Sequence, residues 1–567
     1  MHSGTRVADQ LVRTVSALGV RHLFGVDGAN IEDLYDAAFD HRDLITAVVA
    51  KHEFGAATMA DGYARSTSGL GVVCATSGGG ALNLVAGLAE SFASRVPVLA
   101  LIGQPPTVLE GKGAFQDTSG QAGAFDAVAL YTPISHYCAR VEAPADLPAH
   151  LARAVSAARR GGPAVLLLPK DIQQADLVAP DFVPPARPYR RDIANLRRVL
   201  HTVRGARAVG KIVIIAGDQV ARDDARRELA AFAAAVDAAV GVAPDAKDVY
   251  HHADPGCYGV AGSMGNPELL DALRGAELCL LIGTRMPVTA RAGMEDALAA
   301  VPLASIGALP PFLPAGHAHS NDLAETLAEL IGELDSGDGE TGARIIPLRP
   351  HPSGEPSLTP LPVPPSDGPG LRYHEVVETI NSALPAGSDV FADAGNTGAA
   401  VVHHLRLPRH GRFTVALGMG GMGYAFGAGI GSAFARHRRP DGGQRRTYVI
   451  AGDGAFFMHG MEIHTAVEHR LPITFIVLNN NAHAMCVTRE QLYYGDRYSF
   501  NRFRPAYPGA GMAAMFPDLC THAPENRAEL AAALRHCADR PGPSFVAIDC
   551  DPDEIPPFTP FLTPPRR

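Results

Sequence analysis

The sequence predicts an α/β fold of three doubly wound parallel-sheet domains in series. Three observations carry this reading. Continuous apolar runs of strand length alternate with Ala-rich segments of helix length, the pattern of buried parallel strands wrapped by helices. Two proline-rich stretches, Val178–Asp192 and Pro347–Gly370, continue neither helix nor inner strand and cut the alternation into three blocks. With 567 residues, 47% of them apolar and 19% charged, the chain is too long for one compact unit and apolar enough to bury several cores. The expected division is 1–177, 192–335, a Pro-rich linker at 336–370, and 371–567.

In the first block the strand-like runs are Leu44–Ala50, Gly71–Ser77, Val96–Gly103 and Pro163–Pro169. The middle block repeats the pattern with Lys211–Asp218 and Leu278–Arg285. The last has Ser388–Gly395, Arg446–Gly454, Pro472–Asn480 and Pro543–Asp551. No short-period repeat is present, which excludes a solenoid. Thr414–Ala435 carries no charge and is long enough to raise a membrane span, but its seven glycines fit a buried loop and helix better.

A formal charge of -10 argues against a nucleic-acid binder, which shows a basic face. Eight scattered cysteines without a CxxC pair suggest neither a disulfide framework nor a zinc knuckle and fit a reducing cytoplasm. The first twenty residues have scattered charges and no apolar core, unlike a secretory signal. His464 to His469 (HTAVEH) misses the HxxEH and HExxH spacings by one residue, so solvated helix histidines are expected there.

Chemistry enters at Val449–Asn481. One strand-like run ends in Gly452-Asp453-Gly454 and the next in Asn479-Asn480, with the composition of a single crossover helix between them. Such a βαβ unit makes the strands parallel, so Asp453 and Asn480 share one sheet edge although 27 positions apart. A carboxylate, an amide oxygen and a nearby backbone carbonyl are hard oxygen ligands that suit Mg2+ shared with a phosphorylated ligand. Gly452 and Gly454 let backbone approach that ligand. The plainer alternative is that Asp453 caps a helix and the asparagines turn the chain.

On GDG and NN at this spacing, the chain resembles the thiamine diphosphate enzymes, in the acetolactate synthase and 2-oxo acid decarboxylase branch. The resemblance implies thiamine diphosphate and Mg2+ as cofactors, the metal lying on Asp453, Asn480 and the carbonyl of Ala482, with Ala455, His483, Ala484 and Met485 against the cofactor. Leu44–Arg65 resembles the segment that carries the catalytic glutamate, here Glu53. Phe24–Ala37 resembles a pocket loop, with Gly28, Ala29 and Asn30 facing the reacting carbon; Asp27 replaces the usual proline. Cys74–Ser91 is similar to the Gly-rich turn beside the pyrimidine, and places Thr76 and Asn83 there. Gly111–Thr118 is similar to the synthase form of the donor loop, with Phe115 and Gln116 where simple decarboxylases carry paired histidines.

In the third block Gly395, Asn396 and Thr397 align with the diphosphate edge, and Gly420 and Met422 with the wedge that bends the cofactor. The GxGxxG spelled by Gly418, Gly420 and Gly423 has no strand in a dinucleotide-binding frame before it, so NAD is excluded. Met485–Phe503 resembles the acceptor side of the synthases, with Arg489 in place of their tryptophan; the chain has no Trp. Arg489 either meets an anionic acceptor or points to solvent. The synthases carry FAD in the middle domain, but Gly283–Arg291 and Ala216–Val220 lack their flavin motifs, which argues against it here.

The implied function is an acyloin-forming carboligase that decarboxylates a 2-oxo acid such as pyruvate and joins the acyl unit to a second carbonyl acceptor; the alternative is a non-ligating decarboxylase releasing an aldehyde. The resemblance also implies a homodimer or homotetramer with sites shared between subunits, with no nucleic-acid or membrane partner. The C-terminal Pro556–Pro565 reads as a tail.

Overall fold

The computed structural model describes residues 5–177, 188–337, 358–436 and 445–562. Much of both predicted connectors, at 178–187 and 338–357, lies outside the described residues, as do the last residues of the predicted tail, 563–567. Three six-stranded parallel sheets form the molecule, as the alternating runs predict. The first is ordered Thr46–Val49, His22–Val26, Gly71–Ala75, Val98–Gln104, Pro163–Pro169, Tyr137–Arg140. The third repeats that order with Phe413–Val415, Asp389–Ala392, Thr447–Gly452, Ile473–Asn479, Ser544–Asp549, Cys520–His522. The middle sheet differs, running Cys257–Val260, Ala239–Val242, Lys211–Ala216, Ala276–Ile282, Leu303–Gly307, Gly316–His319.

The third sheet is buried on both faces, which explains its unbroken apolar strands. Alternate residues point to opposite sides: Val449, Ala451, Phe475 and Val477 join a core shared with the first domain, while Tyr448, Ile450, Ile476 and Leu478 join one shared with the middle domain.

Contact with the first domain runs through two helices, Glu53–Thr67 and Tyr424–Ala435, whose backbones touch. A Cβ on Gly62 would lie 2.0 Å from the Ala428 carbonyl oxygen, and one on Gly431 would lie 2.0 Å from that of Met59. Only glycine fits at these two crossings, and overpacking of this kind typically destabilises by about 1–3 kcal/mol. The charge-free, Gly-rich stretch is thus a helix packed between domains, and no described helix is long and apolar enough to cross a membrane.

Two local expectations change. The crossover between Asp453 and Asn480 is not one helix: it breaks into Asp453–His459, a 3-10 turn at Gly460–Glu462, and Ile463–Glu468. The Phe456 ring folds over Gly460, 2.3 Å from where a Cβ would stand, so the break needs glycine. A strand does precede the GxGxxG run, the three-residue edge strand Phe413–Val415, too short to stand out in sequence.

Candidate active site

Ligands of open parallel sheets bind where the strand order reverses, at the carboxyl ends of the strands. In the first sheet that point lies between His22–Val26 and Gly71–Ala75. Asp27–Asn30 leaves one strand there and Thr76–Gly78 the other. Backbone N–H of Asn30 donates to Thr76 Oγ1 at 3.2 Å, its side-chain amide donates to Ser77 Oγ at 2.7 Å, and Thr76 Oγ1 donates to Gln116 Oε1 at 3.2 Å. A Cβ on Gly28 would press on the Thr76 side chain at 2.8 Å. Gly78, at φ +65°, makes room for Gln116.

Glu53 joins this set. It opens its helix, is 8% exposed, and accepts from Asn83 Nδ2 at 2.9 Å. Its other oxygen sits 3.0 Å from where a Cβ of Gly80 would be. Gly28, Asn30, Glu53, Thr76, Asn83 and Gln116 therefore form one connected cluster. Ala29 turns its carbonyl to Lys170 Nζ at 2.7 Å, and Phe115 is 76% exposed. Asp27 accepts from Gly28 N–H at 2.8 Å, and burial raises its pKa.

In the third sheet the reversal lies between Asp389–Ala392 and Thr447–Gly452. Gly452 stands opposite Leu478, so Asp453 and Asn480 leave the edge side by side. Three helices begin there, Asn396–His404, Asp453–His459 and Ala484–Tyr494, and their N-termini present unpaired N–H groups suited to phosphate. Gly395 reaches φ +92° to start the first, and Thr397 Oγ1 lies 3.4 Å from the Cβ position of Gly452. Gly454 is confined: a Cβ there would lie 2.6 Å from His483 Cδ2 and 3.1 Å from Met422 Cε, so the position takes glycine alone. His483 packs edge-on against Phe503 with ring centres 4.7 Å apart.

Asp453 is 1% exposed and neither carboxylate oxygen accepts a hydrogen bond. Burial pushes its pKa up to about 6; the N–H groups of Asn480, Ala482 and Gly454 pull the other way without reaching hydrogen-bond geometry. Buried Oδ1 atoms of Asn396 and Asn479 also lack partners. Asn480 donates to the Tyr373 hydroxyl at 3.1 Å and accepts from Ala482 N–H at 3.1 Å.

Three family profiles match this architecture: the N-terminal TPP binding domain of thiamine pyrophosphate enzymes over residues 5–130, their central domain over 196–310, and their C-terminal TPP binding domain over 393–548. The chain belongs to the thiamine pyrophosphate enzymes. It lies on their acetolactate synthase-like branch. It is 28% identical to the acetolactate synthase large subunit of Corynebacterium glutamicum, across 88% of this chain and 78% of that protein. It is 26% identical to the acetolactate synthase large subunit of Pyropia yezoensis, across 98% and 93%. A solved chain assigned as a thiamin diphosphate-dependent enzyme from Mycobacterium smegmatis superposes with a TM-score of 0.77 at 20% identity, covering 96% of this chain and 99% of that one.

The third-domain edge of this thiamine pyrophosphate enzyme fits a divalent cation. Asp453, Asn396 and Asn479 leave buried acceptor oxygens without donors, an arrangement that a cation with a phosphorylated ligand satisfies. The middle domain is arranged differently. At the order reversal of the middle sheet, the buried side chain of Gln219 accepts from Ala308 N–H at 2.8 Å and donates to Asp223 at 2.9 Å and to the Ser320 carbonyl at 3.1 Å. Gly307 lies against its amide, and Asp218 at the helix start is ion-paired with Arg222. A cavity of about 590 Å3 opens beside Gln219, lined by Asp218, Arg222, Ala308 and Leu309 of the middle domain, by Ser66, Leu70 and Pro97 of the first and by Arg412–Thr414 of the third.

Three carboxylates escape the sequence reading. Glu90, on the first-domain helix Gly79–Ala93, accepts from the consecutive N–H groups of Gly418, Met419 and Gly420 at 3.2, 2.6 and 3.3 Å. Buried Asp393 accepts from Gly423 and Ala425 at 2.9 Å each, and burial pushes its pKa up to about 6. Together they clamp both ends of the loop that carries Met422. Glu462, in the broken crossover, accepts from the N–H groups of Lys51 and His52 at 2.8 and 2.9 Å, and burial pushes its pKa up to about 7. The residues before Glu53 are thereby fixed to the third domain, and the Phe54 ring stacks on His459 at 4.1 Å. Arg489 is exposed, its guanidinium 6.0 Å from the ring centre of Phe561. In the described part of the predicted tail, Thr559–Leu562 is a helical turn whose Phe561 is buried, and Tyr493 donates to the Pro560 carbonyl at 3.0 Å.

Proposed function

We propose that this protein is a Mg2+-requiring carboligase of the acetolactate synthase type, which decarboxylates a 2-oxo acid such as pyruvate and joins the acyl unit to a second carbonyl compound. The observation that carries it is the Asn30–Thr76–Gln116 chain beside buried Glu53: an uncharged hydrogen-bonding wall next to a carboxylic acid. Bound thiamine diphosphate supplies a nucleophilic carbon that releases carbon dioxide from the 2-oxo acid and retains the acyl unit for transfer.

Glu53 holds the proton that activates the aminopyrimidine ring, steadied by Asn83. Gln116 holds the donor's carboxylate or keto oxygen, and Gly28, Ala29 and Asn30 shape the reacting space. Asp453, Asn480 and the Ala482 carbonyl hold Mg2+, with the helix starts at Asn396 and Ala484 on the diphosphate. Met422, beside Gly454, would pack against the bound cofactor. Phe115 and Arg489 border the acceptor. The three sheets correspond to pyrimidine-binding, central and diphosphate-binding domains, split as 1–177, 192–335 and 371–567, and the enzyme acts in the cytoplasm without FAD.

A homodimer or homotetramer completes each site between two chains. Support comes from exposed large apolar side chains on two segments of the third domain: Met419, and Phe457, Met458 and Met461, are 62, 52, 47 and 42% exposed, and exposed apolar surface of this kind suits an interface.

Product analysis by mass spectrometry tests the reading. A 2-oxo acid panel incubated with and without a second carbonyl compound is expected to give acyloins as the main products; aldehyde alone under every condition would assign the protein as a simple decarboxylase.

A further inference from the structure

At the far side of the third sheet, two cysteines separated by 17 positions meet a histidine. Cys520–His522 is the edge strand, paired in parallel with Ser544–Asp549 so that Cys520 stands opposite Ser544. Alternation along a strand sends Cys520 and His522 to the same face. The helix Arg527–Ala538 covers that face and brings buried Cys537 to it. Cys520 Sγ is 3.4 Å from His522 Nε2, and the ligand atoms of Cys520, His522 and Cys537 all lie within 4.8 Å of one another.

We propose that Cys520, His522 and Cys537 bind one Zn2+ that staples the edge strand to this helix. A tetrahedral zinc with bonds of about 2.3 Å to sulfur and about 2.0 Å to nitrogen spaces its ligand atoms about 3.5–3.8 Å apart. Cys520 and His522 already stand near that spacing, and Cys537 reaches it with a shift of about 1 Å or less. Two thiolates and an imidazole select Zn2+ over Mg2+, which takes oxygen ligands, so this site and the Asp453 edge do not compete for one ion.

Buried Arg446 donates to Ser544 Oγ at 2.9 Å and interacts electrostatically with both cysteines, offsetting thiolate charge. The fourth position falls to solvent or to exposed His536, whose ring centre lies 5.2 Å from that of His522. Cys520 pairs with the first residue of the neighbouring strand, so the site is at the sheet edge opposite Asp453, and its role is structural. It closes an otherwise open edge strand only three residues long.

The test uses the full-length protein purified under reducing conditions, with Mg2+ present throughout. Zn2+ is titrated in competition with a chromophoric chelator, and metal content is measured after gel filtration. One Zn2+ per chain retained against the chelator is expected, with Co2+ in its place giving an intense thiolate-to-metal absorption band. Retention falls at least 100-fold in Cys520→Ser and in Cys537→Ser and stays unchanged in Cys138→Ser, a first-domain control. The wild-type stoichiometry decides without relying on the variants folding. No retained Zn2+ in wild type, retention unaffected by both variants, or a Cys520–Cys537 disulfide in the reduced preparation would each overturn the site.

Discussion

The first and third sheets share one strand order, yet their order reversals are prepared for opposite chemistry. At the first, Asn30 bonds to Thr76 and Ser77, Thr76 to Gln116, and, as a separate pair beside them, Asn83 to Glu53. At the third, Asp453 and two asparagine oxygens are buried with no donor. A satisfied polar wall suits a ring with few charges; an edge with unpaired acceptors beside helix N-termini suits a cation and its phosphates. In the function proposed above one topology supplies both ends of a single cofactor, and the difference lies in which residues follow the strands.

Breaking the third-domain side is expected to have the largest effect on binding. Asp453→Asn removes the one charge among Asp453, Asn396 and Asn479, and calorimetry is expected to show cofactor affinity with Mg2+ lowered by about 100-fold or more. The proton competes with the cation at this carboxylate. Because burial raises its pKa to about 6, wild-type affinity is expected to be level above pH 6 and to fall by up to tenfold per unit below it. Affinity independent of pH between 5 and 7 would contradict the assignment.

The link between the two regions gives a smaller effect with a defined sign. Glu462 titrates near 4.5 in an unfolded chain and near 7 when buried between the domains. Its proton binding therefore favours the folded chain fully below pH 4.5, and this contribution fades as pH rises through 7. Glu462→Gln keeps an oxygen for the N–H groups of Lys51 and His52 and removes the titration. Thermal denaturation is expected to find the variant close to wild type at pH 5 and more stable than it at pH 8, the difference shifting by about 2–3 kcal/mol. Parallel pH curves for the two proteins would remove Glu462 as the titrating joint.

The smallest effect belongs to Arg489. Exposed and 6.0 Å from the Phe561 ring, it is loosely held. Arg489→Ala is expected to change the acceptor KM by about threefold or less, consistent with the modest worth of solvent-exposed charges. A tenfold rise confined to acceptor KM, with donor kinetics unchanged, would place it directly on the acceptor.

Much of this contrast was legible in the sequence. Apolar runs located the sheets, and the GDG and NN spacing brought Asp453 beside Asn480 because parallel strands allow nothing else. Glu90, Asp393 and Glu462 were not legible, for a common reason: each carboxylate accepts from backbone N–H groups, which every residue but proline carries, so no residue pattern marks the partner. Glu90 and Gly418 are 328 positions apart. The break at Gly460 was hidden by a helix-like composition, and the edge strand Phe413–Val415 by its three-residue length. Cys520, His522 and Cys537 lay outside the CxxC spacing because their geometry comes from a strand facing a helix.

The account rests on Glu53 acting on a cofactor that the third domain holds. Steady-state turnover of Glu53→Gln at saturating thiamine diphosphate and Mg2+ tests this most directly. A fall in kcat of about 10²–10⁴-fold is expected, with cofactor affinity within a few-fold of wild type. Turnover within twofold of wild type would contradict it.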